Sequence, residues 1–302
     1  MTYQTIDLHW QGAPEVIASY ALRGPNGVAL IETGPASSYD NLKAGLAAAG
    51  IDLRDISDIL VTHIHLDHAG AAGWLARATG ATVHVHHVGA PHLADPTKLL
   101  RSAGRIYGDA MDALWGETIP VPAEQVRAVY DGDVVNAAGL RIRAVDTPGH
   151  AWHHMAWLLD GLCFTGDVAA VRLPRLQLLR APTPPPEIDL PAWRNSLARL
   201  RELRPDRLLP THFGPSDLDT LDHLQAAEDQ IDAQAAFVRA GWQAEQARDD
   251  ILAAYRSWIG QAAISAGLTP DDAYRCEIIV PSDMCVDGLL RYLEKSEARL
   301  SA

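Results

Sequence analysis

Apolar positions follow two regimes along the chain. Up to about residue 217 they come in short runs broken by glycine, proline and asparagine; beyond it they are scattered through long stretches rich in alanine, glutamine and charge. Residues 16–22 and 28–31 read as two strands flanking Gly24-Pro25-Asn26-Gly27, whose Asn-Gly step favours a hairpin turn. Residues 41–49 read as a helix, 59–61 as a strand, 73–79 as a helix and 82–86 as a strand, an alternation that predicts layered α/β structure. Between 126 and 164 the pattern shortens to strands at 126–129, 134–135, 140–145, 155–159 and 162–164, punctuated by Gly132, Gly139 and Gly161. Residues 190–203 form the clearest helix of the second half: Asp189 can cap it, Pro191 sits in its first turn, and Trp193, Leu197, Leu200 and Leu203 share one stripe. A strand at 207–209 follows.

Helices are expected at 219–240, 245–266 and 284–300, with little sheet between them. This shift sets a boundary near 218 and predicts two parts, a main domain 1–218 and a helical appendage 219–302. The proline run 182–186 predicts a stiff extended loop before the helix at 190.

Composition narrows the class. Apolar residues make up 48% and charged residues 21% of the 302 positions, the balance of a soluble globular protein. The net charge of −13 argues against a general nucleic-acid binder, because phosphate contacts need clustered Lys and Arg. Cys163, Cys276 and Cys285 are the cysteines, an odd number without close pairing, so neither a disulfide framework nor a thiolate zinc site is expected. The first thirty residues carry no basic stretch followed by an apolar core, and no apolar run reaches the ~18 residues of a spanning helix. No membrane partner is expected, and a reducing cytoplasm is the expected location.

The candidate chemistry lies in His63-Ile64-His65-Leu66-Asp67-His68, three imidazoles and a carboxylate on a loop after the strand at 59–61. Three later segments add donors of the same kind at strand ends: Thr147-Pro148-Gly149-His150, Thr165-Gly166-Asp167 and Pro210-Thr211-His212-Phe213-Gly214. His63, His65, Asp67, His68, His150, Asp167 and His212 are too many for one tetrahedral zinc and suit two adjacent ions. Mixed nitrogen and oxygen donors fit zinc, iron or manganese.

This set, in this order, resembles the metallo-β-lactamase superfamily over roughly residues 15–215, and His-x-His-x-Asp-His is matched in full at 63–68. The resemblance implies an α/β fold, a four-layer αββα sandwich of two mixed sheets with helices outside, here with a C-terminal helical extension. It implies that His63, His65 and His150 hold one metal, that Asp67, His68 and His212 hold the other, and that Asp167 bridges both. Two divalent ions are the implied cofactors, zinc first, with iron and manganese as alternatives. One departure stands at Ile31-Glu32-Thr33-Gly34, where relatives usually carry Asp before Thr-Gly; Glu32 is expected to take a supporting role with a longer arm. Within the superfamily the chain looks most like the glyoxalase II-like metallohydrolases, several of which carry helices after the last ligand. The basic side chains that hold glutathione there have only loose counterparts in Arg275, Arg291 and Lys295.

The implied function is a metal-dependent hydrolase with a binuclear centre, acting on a small ester, thioester or lactone. Two cations sharing a water would lower its pKa enough to leave a bridging hydroxide near neutral pH, with one ion polarising the carbonyl and the other taking the leaving group. Asp67 is the catalytic candidate, steering the proton. Asp58, Glu32, Asp146 and His154 are candidates to accept the second ring nitrogens. The alternative within the superfamily is thiol oxidation by a mononuclear-iron persulfide dioxygenase, on His63 or its neighbours with His150 and Asp167. A nucleic-acid-processing member would add a clamp or cap domain, and a flavodiiron oxidoreductase a flavin domain. The expected partner is a small-molecule substrate, with association between copies of the chain left open.

Other histidines are assigned structural roles: His84, His86 and His87 lack an accompanying carboxylate or loop position, and His92, His153, His154 and His223 take the same default. Arg172, Pro174 and Arg175 are close enough to the Asp167 loop to line a substrate mouth, and Trp152 to wall it; Cys163 is read as inert filling.

Overall fold

The described residues of this computed structural model, 2–172 and 178–300, fall into two units. The first comprises Met1–Asp146 with His153–Gly166, the second Thr147–Trp152 with Asp167–Ala302. Pro174 and Arg175 lie outside the described residues.

In the first unit six strands form one sheet in chain order: β1 (Tyr3–Asp7), β2 (Ala18–Gly24), β3 (Gly27–Ile31), β4 (Ile56–Leu60), β5 (Thr82–His86) and β6 (Val126–Val129). The first three pair antiparallel, and the rest continue parallel from β3. Pro25 and Asn26 close β2 onto β3, with Gly24 opposite Gly27, where the Asn-Gly step predicts the turn. Parallel neighbours need crossovers. Helices α1 (Tyr39–Ala48), α2 (Leu66–Ala69), α3 (Ala72–Thr79), α4 (Ala90–Ala94), α5 (Thr97–Tyr107) and α6 (Met111–Trp115) supply them. β4 and β5 are buried along nearly their whole length, as expected of parallel strands covered on both faces. A second sheet runs β7 (Val134–Ala137), β8 (Leu140–Asp146), β9 (Met155–Leu159) and β10 (Leu162–Gly166), each antiparallel to the next.

Aromatic side chains fill the space between these sheets. The Tyr20 ring lies 5.4 Å from that of Phe164, and Trp157, fully buried, donates its indole N–H to the Val61 carbonyl at 3.2 Å. Asp58 on β4 draws further elements together, accepting from the Ala138 amide at 2.7 Å and facing His84 Nε2 at 2.9 Å.

The second unit holds α7 (Leu190–Leu203), β11 (Arg207–Pro210), α8 (Thr220–Gln243), α9 (Arg248–Ser265), α10 (Pro270–Ile279) and α11 (Ser282–Leu300). Asp189 caps α7 through the Ala192 amide, and Trp193, Leu197 and Leu200 of the expected stripe are buried. Asp219 caps α8, and Thr269 with Asp272 forms a capping box on α10. Leu224, Ala227, Ile231 and Val238 make the buried face of α8.

Several elements go beyond the sequence reading. β1 buries Ile6 alone and α10 only Cys276, which leaves little apolar pattern to read, whereas α5 buries only Ala103 although Leu99, Leu100, Ala103, Ile106 and Tyr107 recur at helical spacing. The cluster expected on a loop is split: His63 and His65 precede α2, whereas Asp67 and His68 belong to that short helix.

Candidate metal centre

The two units each present one group of donors. In the first, β4 ends at Leu60 and His63 follows in a tightly bonded turn: the Thr62 carbonyl accepts from the Met155 amide of β9 at 2.8 Å. The Thr33 and Gly34 amides and the Thr33 hydroxyl all donate to the His68 carbonyl, at 2.9, 3.1 and 3.0 Å. The Ile31-Glu32-Thr33-Gly34 segment therefore holds α2 by its backbone.

Glu32 holds the same helix by a side chain. It adopts a φ of 64°, uncommon for a residue with a Cβ, and its carboxylate is wholly buried. A buried carboxylate needs donors. Thr62 supplies its hydroxyl at 2.5 Å and its amide at 3.4 Å, and His68 Nδ1 lies 3.2 Å away. This network fixes protons on the rings. Because the Thr62 hydroxyl spends its hydrogen on Glu32, it can only accept from His63 Nδ1, 3.0 Å away. His63 and His68 both carry their proton on Nδ1 and keep the Nε2 lone pair for a ligand. His63 Nε2 in turn lies 3.0 Å from His65 Nδ1, two nitrogens converging on one place. Asp67 Oδ2 lies 3.5 Å from His68 Nε2.

In the second unit, α7 carries the loop that bears His150. Ser196 donates to the Pro148 carbonyl at 2.7 Å, and the Asp189 amide to the Gly149 carbonyl at 2.9 Å. Gly149 has a φ of 137°, and a Cβ there would stand 2.3 Å from Trp193, so the loop lies against the helix as only glycine allows. The His150 ring meets Trp193 edge to face at 5.7 Å, and its Nδ1 donates to the Pro182 carbonyl at 2.8 Å. The third fixed proton again leaves Nε2 for a ligand.

Asp167, 3% exposed, divides its oxygens between two imidazoles: Oδ2 is 3.4 Å from His150 Nε2 and Oδ1 is 3.6 Å from His212 Nε2. Two donors bound to one tetrahedral cation at ordinary zinc distances stand about 3.4 Å apart. The donor chemistry and these separations fit a divalent cation. Three groups of residues could each hold one: His63, His65 and His150; His63, His68 and Asp167; Asp67, His68 and His212. All seven residues singled out in the sequence fall in these groups.

The thiols take no part. Burial pushes the Cys163 thiol up to about 12 and that of Cys276 up to about 11, so both stay protonated. His84 pairs with Asp58 and His86 with Asp146, at 2.9 and 3.3 Å, so two of the three carboxylates proposed as outer supports meet the β5 histidines, and Glu32 alone meets a candidate ligand ring. His223, buried and pushed down chiefly by desolvation, spans the Ser216 hydroxyl and the Ala169 carbonyl. Arg172 pairs with Asp217 and is 8% exposed, and Arg275 pairs with Asp272. Trp152 is 48% exposed and serves no core. Thr62, Pro182 and Trp193 are the supports that sequence reasoning did not single out for the site; only Thr62, adjacent to His63, carried a local signal.

Comparison with known proteins places this architecture. The family model of the metallo-beta-lactamase superfamily matches residues 12–212. The chain is 30% identical over 204 residues to the metallo-beta-lactamase fold-containing protein ST1585 of Sulfurisphaera tokodaii, covering 67% of this chain and 74% of that one. The crystal structure of ST1585 superposes with a TM-score of 0.63 over 76% of this chain and 85% of that one, at 26% identity. TTHA1429 from Thermus thermophilus, a metallo-beta-lactamase family protein 22% identical, covers 98% of this chain and 94% of its own, with a TM-score of 0.66. Shorter matches reach an atrochrysone carboxyl ACP thioesterase of Aspergillus fumigatus, 36% identical over 46% of this chain, and a hydroxyacylglutathione hydrolase of Aeromonas hydrophila, 32% identical over 39%. Each of these two alignments spans 35% of the relative's own length.

Proposed function

The chain belongs to the metallo-beta-lactamase superfamily, and we propose that it hydrolyses a small thioester, ester or lactone with two divalent cations, zinc first. The observation that carries this reading is the donor set: five imidazoles and two carboxylates in three candidate groups, with the Nδ1 of three of the rings set against an oxygen of the surrounding chain. Relatives named as a thioesterase and a hydroxyacylglutathione hydrolase favour the thioester end of the range.

In this reading His63, His65 and His150 hold one cation, Asp67, His68 and His212 the other, and Asp167 offers an oxygen to each. A bound cation pair supplies Lewis-acid polarisation of a carbonyl oxygen and hydroxide near neutral pH. The chain's own part is to orient and to move protons. Glu32 and Thr62 hold the His63 and His68 rings, Pro182 holds His150, and Asp67, the more exposed of the two carboxylates at 23% of its side chain, passes the proton to the departing group. No helix among the described residues is long and apolar enough to cross a membrane.

Elemental analysis of protein purified without added metal or chelator tests the reading, followed by a panel of thioesters, esters and lactones. About two zinc per chain with hydrolysis that chelation abolishes is the expected result. One iron per chain with oxygen consumed on a thiol substrate would replace it with the oxygenase.

A further inference from the structure

The segment that leads into the proline run delivers one backbone group to the candidate centre, the Pro182 carbonyl that accepts from His150 Nδ1. Proline has no amide hydrogen, so that carbonyl is the residue's only backbone hydrogen-bonding group. Its placement depends on Ala181 and Thr183, and the helices beyond residue 218 hold both.

Ala181 is gripped twice by one side chain. Its amide donates to Gln234 Oε1 at 3.0 Å, and Gln234 Nε2 donates to its carbonyl at 2.9 Å. Gln234 on α8 is wholly buried and satisfies both backbone groups of Ala181, as a strand neighbour would. On the other flank the Thr183 hydroxyl donates to the Cys285 carbonyl of α11 at 3.2 Å. Gly288, one turn further along α11, lies so close that a Cβ there would stand 1.9 Å from the Thr183 carbonyl oxygen. Arg180, 1% exposed, completes the attachment through Glu277 at 2.9 Å and Ser282 at 3.2 Å.

We infer that the C-terminal helices position a metal ligand: Gln234, seconded by Thr183, fixes the Pro182 carbonyl and thereby the tautomer and direction of His150. Gln234 is a positioning residue acting through Ala181, Pro182 and the imidazole. The inference rests on the reading of His150 as a ligand, and the helices then serve the chemistry through that ligand. A lost outer support lowers metal affinity about ten- to a hundredfold. Because His150 belongs to one cation's group and not to the other's, the loss falls on one binding step.

Zinc affinity of the metal-free protein, measured by competition with a chromophoric chelator, tests this in wild type, Gln234→Ala, Thr183→Val and Val238→Ala. Gln234→Ala is expected to weaken one of two zinc-binding steps by about ten- to a hundredfold and to spare the other. Thr183→Val weakens the same step by a smaller factor. Val238→Ala, which removes buried packing one turn further along α8, moves neither step. If Gln234→Ala only matches Val238→Ala, or if both steps fall together, the helices are scaffold alone and the inference is overturned while the metal reading stands. A wild type that takes up no divalent metal overturns that reading and the inference with it. Should Gln234→Ala fail to fold, the nearly isosteric Thr183→Val decides: an unchanged step overturns the inference.

Discussion

The donors of the first unit and those of the second are held by different physics. His63 and His68 answer to a single buried carboxylate, Glu32, directly or through the Thr62 hydroxyl. His150 donates to a neutral backbone carbonyl and packs edge to face with Trp193. A carboxylate partner adds negative charge and raises the basicity of the imidazole it binds. A neutral carbonyl partner fixes tautomer and direction without adding charge, and the packing around it supplies the stiffness. One half is tuned electrostatically and the other mechanically, so the two should fail in different ways.

Removing Asp167, proposed to serve both cations, should erase the contrast. Asp167→Ala is expected to cost more than about a hundredfold in metal affinity, beyond the loss of any outer support, as read by metal content after dialysis. Trp193→Ala should strike the mechanical half, costing about 3–5 kcal/mol of stability in denaturant titration. Glu32→Gln keeps the shape of the side chain and removes its charge. It should lower metal affinity by about ten- to a hundredfold while leaving the melting temperature of the metal-free protein closer to wild type than Trp193→Ala does. If Glu32→Gln unfolds the protein and Trp193→Ala does not, the division between the halves is wrong. The smallest effect belongs to Asp58, which lies outside both. Burial alone would raise its pKa, but hydrogen bonds from His84, Ser57 and the Ala138 amide outweigh burial and hold it below the usual carboxylate range. A depressed folded pKa gives stability above the unfolded value that is lost as pH falls through the folded one. The melting-temperature gap between wild type and Asp58→Asn should therefore be full near neutrality and close below about pH 4.

The candidate donors could be named from the sequence because each sits where a strand runs out into a short Gly- or Pro-marked segment, and the densest four fall within six positions. The strands that carry them were legible for a related reason, since β4, β10 and β11 are mostly buried and read as short apolar runs. Of the supports, Glu32 alone was named from the sequence; its partner Thr62 and the others were not. Glu32 and Thr62 are thirty positions apart, His150 and Pro182 thirty-two, Ala181 and Gln234 fifty-three. No local period encodes such pairs; they exist only once the chain has packed. Gln234 in particular reads as one polar residue among many on a helix rich in Ala and Gln, and its burial is visible only in three dimensions.

The reciprocal grip of Gln234 on Ala181 also makes that amide a clock. An N–H bonded to a side chain on another element exchanges with solvent only when the two part company, at a rate set by local opening. Deuterium uptake at this single position would count how often the final helices let go of the chain that steers His150, in protein stripped of every ion and offered no substrate.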